Sequence, residues 1–581
     1  MGTVNGHDHP SGSGVVRRVN GPLVEVEGLD GIAMREVLGL GPQELAAEVV
    51  GIEADRATVQ AYEYTGGLAP GHGAVSTREV LSGVLGPGLL GQAFDGLLRP
   101  LSSAQVWLTP ERPTAHSGRQ WSFVAGVEVG ETVHEGQLIG TVPDSGAVEH
   151  RVLVPPGVHG VVGWVAGPEP RGAEGVVARV GETPVHLSQR WPVRRPRPFR
   201  ARLSEVVPLH TGQRVLDLLY PLARGGAAAV PGGFGTGKTL LLQQIAKWSD
   251  ADVIVYVGCG ERGNEMADVL DELSRIADER TGGRLLDRTV IIANTSNMPM
   301  MAREASVHTG ITVAEYYRDM GYDAVVIADS TSRWAESLRE FANRNGDLPA
   351  EEGYPANLAS ELAAFYERAG RVVTLGGEQA SATVVGAVSP AGGDLTEPVT
   401  TGTQRFVRSL WLLDRDLAYA RHYPAVSWRG SFARDAEAVG AWRATHGDPE
   451  WAARRARATA LLAEADRLAA LAEIIGTGSL PGHERMVLLG GRLLRDAVLQ
   501  QNALSPNDGF CSPEKGAALL GLVLDVVDAC QERIEAGTAA TTLEETDLGP
   551  VIRAREELGP RDAAGVARRR VEVLEMLGGL A

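Results

Sequence analysis

Lysine is nearly absent from this chain. Of its 55 basic residues only Lys238, Lys247 and Lys515 are lysine, and the other 52 (55 − 3) are arginine. Cysteine is as sparse: Cys259, Cys511 and Cys530 are an odd, scattered set. They build no disulfide framework, which suits a reducing compartment. There is no basic excess, since 73 acids against 55 bases leave a net charge of −18. A sequence-independent nucleic-acid binder needs a basic footprint to displace counterions, so no nucleic-acid partner is expected. No apolar run reaches the ~18 residues of a membrane-spanning helix, and the stretch 519–527 is broken by Asp525. Residues 1–14 are polar and glycine-rich, without the basic and apolar parts of a secretory signal. The expected location is cytoplasmic, with any membrane attachment made through partners.

What is present reads as a multidomain α/β protein. The 581 residues predict several domains, and 44% hydrophobic with 22% charged residues is ordinary globular composition. Residues 1–78 alternate in short segments such as Leu23-Val24-Glu25-Val26-Glu27 between glycine turns, the pattern of a small β-barrel. Residues 79–118 read as a connector, with a helix expected at 76–85. In 119–190, Gly126, Gly130, Gly136 and Gly140 separate valine-rich segments, which predicts a second, inserted β module. Pro192, Pro196 and Pro198 make 191–198 an extended linker whose arginines are expected in solvent. Residues 191–435 alternate apolar strands (227–230, 253–257, 290–293, 324–328, 372–375, 383–388) with helices, implying a mostly parallel sheet covered on both faces. Residues 436–581 are helical. Asp448-Pro449-Glu450 and Ser512-Pro513-Glu514 each read as an N-cap, a first-turn proline and an acid.

Within the α/β region, Gly232-Gly233-Phe234-Gly235-Thr236-Gly237-Lys238-Thr239 fits G-x-x-x-x-G-K-[ST], after an apolar strand and before a helix. Glycines let backbone N–H groups turn toward phosphates, and the helix N-terminus adds positive potential. Lys238 is then expected at the β- and γ-phosphates and the Thr239 hydroxyl on Mg²⁺. Asp329 ends the strand 324–328, where a Mg²⁺-holding carboxylate belongs, acting through water. Gly258-Cys259-Gly260-Glu261-Arg262-Gly263 also matches the dinucleotide pattern G-x-G-x-x-G. A glutamate inside it would repel a pyrophosphate. The better assignment makes Glu261 the carboxylate that polarises the attacking water and Arg262 a contact to phosphate oxygens. Cys259, with no histidine nearby in sequence, reads as a buried small residue.

These segments, with Asn294-Thr295-Ser296-Asn297-Met298-Pro299, Ala314-Glu315-Tyr316-Tyr317-Arg318-Asp319 and Glu352-Gly353-Tyr354-Pro355, resemble the catalytic A subunit of V-type and archaeal-type rotary ATPases and ATP synthases. The resemblance covers essentially the whole chain and is strongest from about 190 to 430. It implies a β-barrel, an inserted β module, a RecA-like ATP-binding domain and a C-terminal helical domain. It also implies three such chains alternating with three non-catalytic B subunits around a rotating stalk. Central and peripheral stalks would couple the ring to a membrane sector that passes H⁺ or Na⁺. ATP or ADP with Mg²⁺ would be the substrate. Tyr423 stands where the family stacks an aromatic on adenine, with Gln501 and Phe510 as further contacts. Leu504 replaces an aromatic on that side, Gly233 a proline, and Thr236 the cysteine of eukaryotic members. The phosphate loop alone also suits an RNA-translocating motor, a regulatory ring subunit that only binds nucleotide, or the F-type β subunit. The acidic charge opposes the first, the intact Lys238 and Glu261 the second, and the inserted module the third.

The lysine count returns here. A basic position in this chain has only a ~5% chance of being lysine (3/55). Lys238 occupies the one position whose chemistry demands a compact ammonium, since a planar guanidinium does not fit as a point charge inside a tight loop. Lys247 and Lys515 gain no such argument and are expected as solvated or ion-paired surface residues.

Overall fold

A computed structural model of the chain describes residues 12–101, 118–278 and 280–580. Residues 1–11, and residues 102–117 of the expected connector, lie outside the described residues. By mutual contact the chain groups into two units: Met1–Leu203 with Ala251–Val384, and Ser204–Asp250 with Val385–Ala581.

In the first unit, six strands close a barrel in the order Ser13–Asn20, Leu23–Glu27, Arg56–Ala61, Leu45–Glu53, Glu36–Leu40, Gly73–Val80. Alternation sends one side chain in two inward, so Val24, Val26, Val49 and Val59 are wholly buried. The helix expected at 76–85 is absent. Gly73–Val80 pairs on both sides, with Ser13–Asn20 and with Glu36–Leu40, and closes the barrel. Ser82–Leu85 pairs with Gln189–Pro192. These ladders join residues far apart in sequence, so local helical preference is overridden.

The inserted module holds two small sheets. One is built from Thr132–Val133, Gly160–Val165, Val176–Val180 and Thr183–His186, the other from His150–Leu153, Leu138–Val142 and Val124–Ala125. Trp121, Phe123, Ile139, Val162 and Val177 form its own core.

The solvated linker is also overturned. Arg194 donates to Glu48 at 2.8 Å and also to Glu304. Arg197, only 3% exposed, donates to Asp319 at 2.6 Å. Arginines leave water here because carboxylates on the barrel and on the helix Met300–Asp319 meet them.

Beyond the linker the first unit continues as a parallel sheet. Val253–Cys259 lies between Asp323–Asp329 and Thr289–Asn294, and Ala93–Phe94 adds to the latter. The middles of these strands are apolar because both faces are covered. Met300–Asp319 packs on this sheet, buried along nearly its whole length. Glu315 on it accepts two bonds from Arg368, at 3.1 and 2.5 Å, and one from the Arg197 backbone N–H at 2.9 Å. The strand expected at 372–375 begins earlier, at Gly370–Val373, and runs antiparallel to Gln379–Val388.

In the second unit Ala227–Pro231 pairs in parallel with Ser409–Leu410, and the chain then becomes helical. Trp451–Ile475, Gly482–Leu494, Pro513–Glu535, Gly549–Glu557 and Ala563–Gly578 are its main helices. Ser512 caps its helix as expected, accepting from the Lys515 N–H. The Asp448 cap is displaced: the helix starts at Trp451, and Asp448 takes the Arg454 guanidinium instead. Lys247 is half-buried with its ammonium 4.4 Å from the Trp248 ring centre. Lys515 is no surface residue. It is wholly buried and its ammonium donates to the carbonyls of Asn507, Arg555 and Leu558 at 2.9, 2.8 and 2.9 Å.

Removing one partner of a buried ion pair strands the other charge. Arg368→Met should therefore destabilise the first unit by about 3 kcal/mol or more, and adding Glu315→Leu should recover part of the loss. Urea melts of the single and double variants check this; equal stability of wild type and Arg368→Met would contradict it.

Candidate functional site

The phosphate loop lies in the second unit. The buried strand Ala227–Pro231 delivers the chain to it, and the helix Lys238–Trp248 leaves it. The Gly232 N–H donates to Val388 O at 3.1 Å, which anchors the loop to the strand end. Gly237 has φ +87°, and a Cβ there would lie 3.1 Å from the Tyr423 ring, so both conformation and space require glycine. Thr236 closes the loop by donating to Gly233 O at 2.8 Å. The Lys238 ammonium lies over the loop and donates to the carbonyls of Gly232 and Gly233, at 2.6 and 2.8 Å. No side chain caps the helix at Gly237, and Thr239 is exposed in its first turn. A helix end of this kind is an anion site. Phe234 stands 95% exposed beside it.

Tyr423, Gln501 and Phe510 fall in the same unit. Tyr423 packs its ring edge against Gly237 and accepts from the Gln501 N–H at 2.8 Å. The Gln501 side chain is fully engaged: its oxygen accepts from the Arg214 N–H at 2.8 Å, and its nitrogen donates to Gly212 O at 2.8 Å and Gly509 O at 3.3 Å. Gln501 thus holds the loop in place. Phe510 is buried between Trp248 and His210, with ring centres 5.3 and 5.7 Å away. Leu504 is 93% exposed.

The first unit holds the candidate acids. Asp329 ends its strand, buried, and accepts from the Tyr256 hydroxyl at 3.3 Å. Glu261 follows Val253–Cys259, in register with that strand end: Gly258 pairs with Asp329. Partial burial raises the Glu261 carboxyl from its ordinary 4.5 to about 8, helped by the charges of Asp329 and Glu265 and opposed by Arg333. Gly260 has φ +75°, and a Cβ there would meet the Arg333 Cβ at 2.7 Å. This glycine of the apparent dinucleotide motif therefore makes room for an arginine, not for a pyrophosphate. Arg262 is exposed and only loosely paired, 3.9 Å from Glu265. Cys259 is wholly buried, and burial pushes its thiol up to about 12, the setting of a small packing residue.

Arg333 was not singled out from the sequence. Four residues past Asp329, it donates twice to Glu336 at 3.0 and 2.9 Å and remains half-exposed near Glu261. Its position on the helix that starts at the strand end was the available signal. Among the described residues no cluster of three or more His, Cys, Asp or Glu could hold a metal alone. The Thr239 hydroxyl in the second unit and the Asp329 carboxylate in the first are each a hard oxygen of the kind that suits Mg²⁺.

The chain matches four family profiles in succession. They are the ATP synthase alpha/beta family beta-barrel domain (16–78), the barrel-sandwich domain of ATP synthase alpha/beta subunits (113–194), the ATP synthase alpha/beta family nucleotide-binding domain (212–433) and the C-terminal domain of V and A type ATP synthase (441–543). It is 48% identical to the V-type ATP synthase alpha chain of Anaeromyxobacter sp. (strain K), across 98% of this chain and 99% of that one. It is 46% identical to the A subunit of the A-type ATP synthase of Methanopyrus kandleri, across 95% of each. The solved structure of the assembled ATPase EscN, from the type III secretion system of enteropathogenic E. coli, shares the fold. Its TM-score is 0.64 at 22% identity, over 88% of this chain and 100% of that one.

The raised Glu261 carboxyl has a consequence for stability. Between pH 4.5 and about 8 the unfolded chain has lost this proton and the folded chain keeps it. Stability from this group is therefore fullest below 4.5 and falls as pH rises toward 8. In nucleotide-free chain treated with a chelator, Glu261→Gln should gain on wild type by about 1 kcal/mol between pH 5 and 8.5, after allowing for solvent screening. Thermal melts at both pH values check this, and a pH-independent difference would contradict it.

Proposed function

The chain belongs to the ATP synthase alpha/beta family, in its V- and A-type branch, and from that premise we propose that it is the catalytic nucleotide subunit of a rotary ATP synthase or ATPase. In this reading it interconverts ATP plus water with ADP plus phosphate. It works in a ring alternating with non-catalytic B subunits, and stalks couple the ring to H⁺ or Na⁺ passage through a separate membrane sector. Among the described residues no helix is long and apolar enough to cross a membrane.

The observation that carries the proposal is the intact loop Gly232–Thr239 with the Lys238 ammonium at its centre. Lys238 exchanges its loop carbonyls for β- and γ-phosphate oxygens, and the N–H groups of the loop and helix start surround the same phosphates. Thr239 would hold Mg²⁺ directly and Asp329 would act on it through water; the ion, when bound, would offset the charge of the phosphate oxygens. Glu261 orients the attacking water and takes up its proton. Arg262 and Arg333 are the cations this part of the chain offers to phosphate oxygens. Tyr423 stacks on the base, Phe510 backs it, and Gln501 fixes the loop between them. Phosphoryl transfer in this class also uses a cation supplied from outside the loop, here an arginine of the neighbouring B subunit.

Lys238→Ala should abolish turnover with ring assembly intact. Glu261→Gln should keep nucleotide binding and lose at least ~10²-fold in hydrolysis. Steady-state ATPase assays with parallel nucleotide binding check both. Full activity in Lys238→Ala would sink the assignment, and unchanged turnover in Glu261→Gln would make that residue structural.

A further inference from the structure

Lys515 is the one buried lysine for which the phosphate chemistry has no use. It lies in the first turn of Pro513–Glu535, wholly buried, and its ammonium is met by three backbone carbonyls. Two of these, Arg555 O and Leu558 O, belong to the C-terminal end of Gly549–Glu557, where helix carbonyls lack intrahelical partners and the helix dipole is negative. The third, Asn507 O, belongs to the loop 500–511. One ammonium therefore binds a helix end to that loop.

The loop is the one that reaches the base side of the nucleotide site. Asp508 accepts from Arg214 at 2.5 Å and from the Asn502 N–H at 2.7 Å. Asn507 donates to Glu556 O at 2.9 Å, and Arg555 to Gln500 O at 2.9 Å. Between these ties the loop carries Gln501, whose N–H holds Tyr423 O, and Phe510, which would touch a Cβ on Gly212 at 2.8 Å. A displacement at Asn507 therefore passes directly to both aromatic residues.

We propose that Lys515 is a positioning residue for nucleotide binding, fixing the loop 500–511 so that Tyr423 and Phe510 present a formed base pocket. This rests on the reading of Tyr423 and Phe510 as the base-side residues. The ammonium suits the task because three carbonyls converging on one point match its three N–H donors, whereas a guanidinium spreads its donors in a plane. A chain that has arginine at 52 of its 55 basic positions keeps lysine here as it does at Lys238.

The test separates the base from the phosphates. Full-length wild type, Lys515→Arg and Tyr423→Ala are titrated with Mg-ATP and with magnesium tripolyphosphate, which has no base. Lys515→Arg should weaken ATP roughly tenfold, the scale of one base–aromatic contact, and leave tripolyphosphate within about twofold. Tyr423→Ala should do the same. If Tyr423→Ala weakens both ligands equally or neither, the base-pocket reading fails and the proposal with it. If Tyr423→Ala behaves as expected but Lys515→Arg binds ATP like wild type, or loses both ligands alike, the base pocket stands and the role of Lys515 is overturned. Lys515→Met, which keeps the stem and removes the charge, replaces Lys515→Arg should that variant fail to fold.

Discussion

Buried guanidinium groups paired with carboxylates and backbone carbonyls are the constraint on which both units depend. In the first, Arg194 joins Glu48 of the barrel to Glu304, while Arg197 and Arg368 close on Asp319 and Glu315. All three tie into the helix Met300–Asp319, which packs on the sheet that ends in Asp329. In the second, Arg214 donates to Val498 O, Gln500 O and Asp508, and so holds the start of its α/β part to the helical region. A planar fork of five donors bridges acceptors spread around a plane, whereas an ammonium holds acceptors that converge on one atom. The near-total replacement of lysine by arginine thus has a structural counterpart in the core. Such pairs are expensive to break rather than strongly stabilising in themselves, so they fix where elements meet more than how tightly.

Two lysines mark where that preference stops. Lys238 sits among the carbonyls of a tight glycine loop, and Lys515 at the convergence of three carbonyls. Both places call for a compact charge with donors pointing outward from one atom. In the proposed function Lys238 gives that charge up to phosphate. Lys515 keeps its own and holds protein.

Much of the candidate site was legible from the residues because its signals are local. The phosphate loop is one continuous pattern, and the strands ending near Glu261 and Asp329 are unbroken apolar runs. What escaped was set by distance along the chain. The strand at Gly73–Val80 looked helical because its partners, at Ser13–Asn20 and Glu36–Leu40, are not its neighbours. Arg194 looked solvated because Glu304 lies 110 residues away. Lys515 looked like a surface residue because backbone carbonyls leave no trace in a sequence. Arg333 was hidden for the opposite reason: where arginine is everywhere, its place just past a strand end drew no notice until Gly260 is seen making room for it.

In the proposed function this chain carries the phosphate loop and the acid of a rotary ATPase but needs its ring neighbour to complete the catalytic charge. ATP turnover of the purified chain alone, set against the same chain reassembled with its partner subunits, tests it most directly. The account predicts a rise of about 10³-fold on assembly, the scale of an arginine supplied in trans. Full turnover by the isolated chain would contradict it.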